Sequence, residues 1–201
     1  MRILVATAFT LCLSVFTHAQ DQSVNLMPKP THLVRNNNRV AVTKDFSVAI
    51  TGTPGARVYR EATRALRRLD NRTGLFFRYG NVTEQGLELV EPERNGPRSG
   101  MQWVNIPASS ATLVISVGRP AELKLGEDEH YRLSVNATQV RIEAGTDLGA
   151  IRGLETLHQL LSADAAGYFF PGVDINDTPR FAWRGLLIDV CLHWMPMEVI
   201  T

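Results

Sequence analysis

Residues 130–162 read HYRLSVNATQVRIEAGTDLGAIRGLETLHQLLS, and their pattern decides the fold class. At the start, Tyr131, Leu133 and Val135 alternate with His130, Arg132 and Ser134, as in a strand with one apolar and one polar face. Val140 to Ala144 supplies a second strand, and Asn136 to Gln139 joins the two as a hairpin. The period then changes. From about Asp147 to Ser162, Leu148, Ile151, Leu154, Leu157, Leu160 and Leu161 share a broad face, with Arg152, Glu155 and Gln159 opposite, which predicts an amphipathic helix. Thr146 or Asp147 caps it, because a side-chain oxygen there satisfies an otherwise unpaired first-turn N–H. His158 falls on the apolar side and reads as a core or domain-contact histidine.

Upstream, after an extended lead through Pro28-Lys29-Pro30, Val40, Val42, Phe46, Val48 and Ile50 occupy even positions. An interruption at Thr43-Lys44-Asp45 predicts two strands or one bulged strand, closed by Thr51-Gly52-Thr53-Pro54-Gly55. Between Ala56 and about Asp70, Val58, Ala62, Ala65, Leu66 and Leu69 recur at helical spacing. Arg57, Arg60, Glu61, Arg64, Arg67 and Arg68 fill most of the remainder; an anion-binding face is the alternative reading of the five arginines, but they read as a solvated outer face, with no acidic ligand inferred. Residues 80–110, rich in Gly, Pro, Asn, Glu and Arg, read as a long irregular connection or an insertion, and Ala111 to Val117 as a further strand. The order of elements predicts an α+β fold: a mainly antiparallel sheet with two helices on one face.

Composition narrows the functional classes. With 44% hydrophobic and 20% charged residues the chain suits a folded domain, and its net charge of +1 gives no reason to expect nucleic acid. Residues 1–19 read as a signal peptide: Arg2, an apolar run from Ile3 to Phe16, and Thr17-His18-Ala19 as the cleavage form. That run is too short for a membrane span, so an exported protein without one is expected, periplasmic or extracellular, or lysosomal in a eukaryote. Of the two cysteines only Cys191 lies beyond this segment, so no intramolecular disulfide is expected in the mature chain. Asn71, Asn81 and Asn136 begin N-x-T sequons, relevant only in a host that N-glycosylates exported chains.

Beyond the second helix, Pro171 to Pro179 reads as a linker containing Pro, Gly and Asp. Gly185 to Val190 (GLLIDV) is then a continuous apolar run of the kind seen in strands buried on both faces, and Met195-Pro196 precedes a helix start. Residues 177–194, DTPRFAWRGLLIDVCLHW, resemble the opening of the family 20 glycoside hydrolase barrel, whose pattern is roughly D-x-P-R-F-x-x-R-G-x-x-x-D-x-x-R-H. Residues 145–157, GTDLGAIRGLETL, resemble the last helix of the α+β domain that precedes it. The resemblance covers the mature chain. It implies three parts: residues 1–19 as signal peptide, 20–170 as the amino-terminal α+β domain, and 171–201 as linker and first strand of a truncated (β/α)₈ barrel.

The resemblance also implies an activity: β-N-acetylhexosaminidase, releasing terminal N-acetylhexosamine from glycans or chitin oligomers with retention. The substrate's own acetamido oxygen acts as nucleophile in such enzymes. A Glu protonates the leaving oxygen and a neighbouring Asp orients the acetamido group. In the family this pair lies on later barrel strands, downstream of Thr201, so no catalytic residue, metal or cofactor is assigned to this chain. A full barrel takes roughly 250 residues and builds its site from many strand ends. Arg180, Phe181, Trp183, Arg184 and Asp189 serve, on this reading, to dock domain and barrel and to brace strand one. Leu192 stands where the family has a substrate-binding arginine, and leucine cannot donate to sugar hydroxyls. Asp189 and His193 are neighbours of the barrel site. Cys191 and His193 share a strand face but lack the further groups that a thiol nucleophile or a zinc site requires. The competing reading is a non-catalytic glycan-binding or interaction module; the apolar run from Gly185 speaks against it, because a free-standing module has no use for a barrel strand. A third reading is a poorly folding pseudogene product, its orphan strand exposed to aggregation.

Overall fold

The computed structural model describes residues 24–90, 102–185 and 196. In chain order the elements are β1 (His32–Ala41), β2 (Val48–Gly52), α1 (Ala56–Thr73), β3 (Tyr79–Thr83), β4 (Gly86–Leu89), β5 (Gln102–Val104), β6 (Leu113–Arg119), β7 (Tyr131–Val135), β8 (Val140–Thr146), α2 (Asp147–Leu160), β9 (Ser162–Asp164) and β10 (Gly167–Asp177). The principal sheet has the order β1-β10-β7-β8-β6-β2, with β9 also pairing with β10. Strands β2, β6 and β8 run parallel, and the pairings among β1, β10, β9, β7 and β8 are antiparallel. Among the described residues the sheet is mainly antiparallel, as expected, with four antiparallel pairings against two parallel ones, the latter joining β2, β6 and β8. A helix follows β2 and another follows β8, and helical crossovers of this kind return the chain in the same direction.

The residues expected on the buried face of α1 (Val58, Ala62, Ala65, Leu66 and Leu69) are its buried residues. Each leucine withdrawn from water contributes roughly 2 kcal/mol. Gly74, in the left-handed conformation, ends the helix by donating its N–H to the Asp70 carbonyl. In α2, Leu154, Leu157 and Leu160 are buried, but so are Gly149, Ala150 and Gly153, while Leu148 and Ile151 are only partly covered. Small residues make this contact because the sheet comes close: a Cβ on Gly149 would stand 2.2 Å from the His130 carbonyl oxygen. The helices share one core with the sheet, where Phe46 stacks on Phe77 and tilts against Phe170 at centroid separations of 5.9 and 6.1 Å. The opposite sheet face carries polar pairs such as Arg132–Asp174 at 2.7 Å and Thr51–Ser116 at 2.8 Å.

Two sequence expectations are corrected. Within residues 80–110, the described part is not irregular: β3, β4 and β5 form a separate antiparallel sheet held to α1 by Thr63, which accepts from the Val82 N–H at 2.9 Å and donates to its carbonyl at 3.2 Å. Its strands are short, and only Val82 and Leu87 are buried, so little periodicity marks them. The stretch read as a linker from Pro171 is strand through Asp177. β10 lies inside the sheet between β1 and β7, and Pro171 and Gly172 are accommodated where β1 bulges between Arg35 and Arg39.

Candidate functional site

The chain leaves the sheet at Asp177, which pairs with Tyr131 across β10 and β7. One Asp177 oxygen accepts from the Thr31 N–H at 2.8 Å and the Thr31 hydroxyl at 3.0 Å; the other accepts from the Tyr131 hydroxyl at 3.3 Å. That hydroxyl also shares a 2.6 Å hydrogen bond with Thr156 of α2. One carboxylate thus ties the lead segment, the sheet and, through Tyr131, the helix. Burial, reinforced by the negative charge of Asp177, pushes the Tyr131 phenol up to about 12, so it stays protonated and serves as a fixed strut.

Glu129, just before β7, organises the segment that follows. It accepts from Arg152 Nε of α2 at 2.6 Å and from Arg184, which also donates to the Phe181 carbonyl at 2.5 Å. Arg184 thereby closes the turn from Phe181 and clamps it to the domain. The same turn presents Phe181 and Trp183, 71% and 78% exposed, while the side chain of Trp183 lies over Gly185. Two exposed aromatic rings thus stand on a segment held by a two-arginine, one-carboxylate clamp. The charged groups are engaged with one another, an arrangement that positions a segment and lacks a base–nucleophile pair.

At the other end of α2, Thr146 is the cap, accepting from the Gly149 N–H at 3.2 Å. Asp147 acts instead as a bridge between elements. Almost wholly buried, it accepts from Arg57 of α1 at 3.1 Å and from the Ala121 N–H at 2.8 Å. His158 is buried as expected, and among the described residues neither ring nitrogen has a hydrogen-bond partner. Burial foremost, then the Arg68 charge, hold its imidazole down at about 4, so it is neutral near pH 7.

Asp189, Cys191, Leu192 and His193 lie outside the described residues, as do residues 1–19. Arg180, Phe181, Trp183 and Arg184 are all exposed at the junction, and Arg184 alone of them has a carboxylate partner among the described residues. Glu129 and Asp147 carry no sequence signal for these roles, since their partners stand far away in the chain. Among the described residues no group of three His, Cys, Asp or Glu side chains could hold a metal ion, and no helix is long and apolar enough to cross a membrane.

Known proteins give this geometry a family. A family model described as beta-acetyl hexosaminidase like matches residues 26–160, and the chain belongs to that family. Beta-hexosaminidase 1 of Arabidopsis thaliana is 29% identical over 194 residues, 90% of this chain and 33% of its own. Beta-hexosaminidase subunit alpha of Bos taurus is 40% identical over 93 residues, 46% of this chain and 18% of its own. Among solved structures, the chitobiase of Flavobacterium johnsoniae superposes with a TM-score of 0.72 at 39% identity, over 87% of this chain and 24% of that one. A GH20 exo-β-N-acetylglucosaminidase of Vibrio harveyi shares the fold, with a TM-score of 0.54 at 22% identity over 85% and 21% of the two chains. The chain thus corresponds to the amino-terminal domain of family 20 glycoside hydrolases and spans a third or less of these relatives.

Proposed function

We propose that this chain is the leading part of an exported β-N-acetylhexosaminidase that removes terminal N-acetylhexosamine from glycans or chitin oligomers. The α+β domain runs from residue 20 through the end of β10 at Asp177, past the boundary at 170 read from sequence, and the segment that follows leads into the first barrel strand. The carrying observation is the junction: Arg184, inside the family's barrel-opening motif, is clamped by Glu129 of the matched domain while Phe181 and Trp183 stand exposed. A domain whose outgoing segment is fixed and apolar is built to seat another. Catalysis belongs to the barrel, where the substrate's acetamido oxygen attacks the anomeric carbon, a Glu protonates the leaving oxygen and an Asp steadies the acetamido group. This chain supplies the platform, and alone it does not turn over substrate.

Leu192 bears on the sugar site directly, because an arginine there would donate to sugar hydroxyls and leucine cannot. The test joins this chain to the remaining barrel of the Flavobacterium johnsoniae chitobiase and compares it with the Leu192→Arg variant. KM for a chromogenic N-acetylglucosaminide falls on the order of tenfold with arginine, and the sugar is released with retention. Inversion of configuration would overturn the substrate-assisted mechanism, and an unchanged KM would remove Leu192 from the sugar site.

A further inference from the structure

Helix α1 carries Arg60, Arg64 and Arg67 at spacings of four and three, hence along one stripe about 10 Å long. The stripe forms one wall of a groove of about 530 Å³ between α1 and the three-stranded sheet. Tyr59 and Trp103 add aromatic surface, and Asn81 and Glu84 add polar groups from β3 and its turn. Other arginines of the helix are engaged elsewhere: Arg57 with Asp147, Arg68 with Glu155 and Arg72 with the His158 carbonyl. Within the groove Arg64 pairs with Glu61, and Arg67 donates to the Asn81 side-chain oxygen at 2.7 Å. Arg60 is exposed and makes no hydrogen bond or ion pair among the described residues.

We infer that this groove binds an acidic saccharide, a glycan bearing carboxylate or sulfate groups, with Arg60 as the principal anion contact. A guanidinium fork matches the paired oxygens of such groups, and aromatic rings offer an apolar face to the C–H surface of a sugar. Two features argue against a dense polyanion such as nucleic acid: the cationic stripe is a single row, and Glu61 and Glu84 stand beside it. The solvated reading of the arginine face thus holds for the helix in isolation and changes once the small sheet flanks it as the other wall of an open groove. The choice of a saccharide rests on the glycan-processing reading above, whereas the charge preference rests on the groove.

The test is calorimetric titration of the 201-residue chain with a tetrasaccharide of alternating glucuronate and N-acetylglucosamine, beside the neutral N-acetylglucosamine tetramer and inorganic sulfate. The acidic tetrasaccharide binds, its affinity falls with added salt, and Arg60→Ala weakens it about tenfold with the thermal midpoint unchanged. Trp103→Phe removes the tryptophan fluorescence change on binding. Equal affinity for the neutral tetramer, indifference to Arg60→Ala, or no binding of any probe would each overturn the proposal. Sulfate binding as tightly as the tetrasaccharide would reduce the groove to a simple anion site and overturn the saccharide assignment. Turnover by an assembled barrel is read separately, so failure of that reading and failure of the groove are distinguishable.

Discussion

Asp147 joins the starts of the two helices, and its environment leaves little room for change. Its carboxylate accepts from Arg57 and the Ala121 N–H, and one of its oxygens lies 2.7 Å from where a Cβ on Gly55 would stand, at the N-cap of α1. Asp147→Ala leaves a buried N–H unpaired and a guanidinium without its counter-charge, a loss of about 3 kcal/mol measurable by urea unfolding. Arg57→Ala is also costly, since it leaves the buried Asp147 carboxylate without its counter-charge. His158 sets a pH dependence. Its folded imidazole titrates near 4, whereas the unfolded group takes a proton near 6.5. As pH falls through that window the unfolded state binds a proton that the folded state refuses, so stability is full above 6.5 and declines toward 4. The decline amounts to as much as about 3 kcal/mol, and thermal midpoints of His158→Leu show a flatter profile there. The apolar side of α2 already places His158 in the core, because helical spacing is a local property. The burial of Asp147 is not legible in the same way: its partner Arg57 stands 90 residues earlier, and the sequence shows only a cap-compatible acid.

Among the elements, those with sustained periodicity are legible. Both helices, the β7–β8 hairpin and the β2 and β6 strands emerge from their spacing; in the hairpin turn, the Asn136 side chain accepts from the Thr138 and Gln139 N–H groups as a turn asparagine does. β10 is obscured because Pro171 and Gly172 punctuate it. For Gly172 the structural reason lies in another strand. A Cβ there would stand 2.0 Å from Asn36 Oδ1 and 2.6 Å from the Asn38 carbonyl oxygen, so the bulge of β1 needs glycine opposite it. Gly172→Val is expected to displace β1 and lower stability by about 2 kcal/mol, with amide exchange rising in β1 and β10 while α1 stays protected. A variant with both strands as protected as before would show that the bulge has another origin. The small sheet escapes a sequence reading for a different reason: three short strands bury too few side chains to impress a period of two.

At the scale of the molecule, a mixed sheet with two packed helices ends in a clamped segment bearing exposed aromatic rings. Asp177 and Glu129 fix the departure of that segment through hydrogen bonds to Thr31, Tyr131, Arg152 and Arg184, so its direction is set by the domain itself. The family pattern makes the motif around Arg184 readable, although the carboxylate that holds it emerges only in three dimensions. The proposed function divides platform from chemistry and assigns the reacting groups to a barrel. The most direct measurement is hydrolysis of a chromogenic β-N-acetylglucosaminide by the purified 201-residue chain. Release of chromophore should not exceed the blank at any protein concentration; turnover rising in proportion to pure protein would contradict the division and require a catalytic acid within this chain.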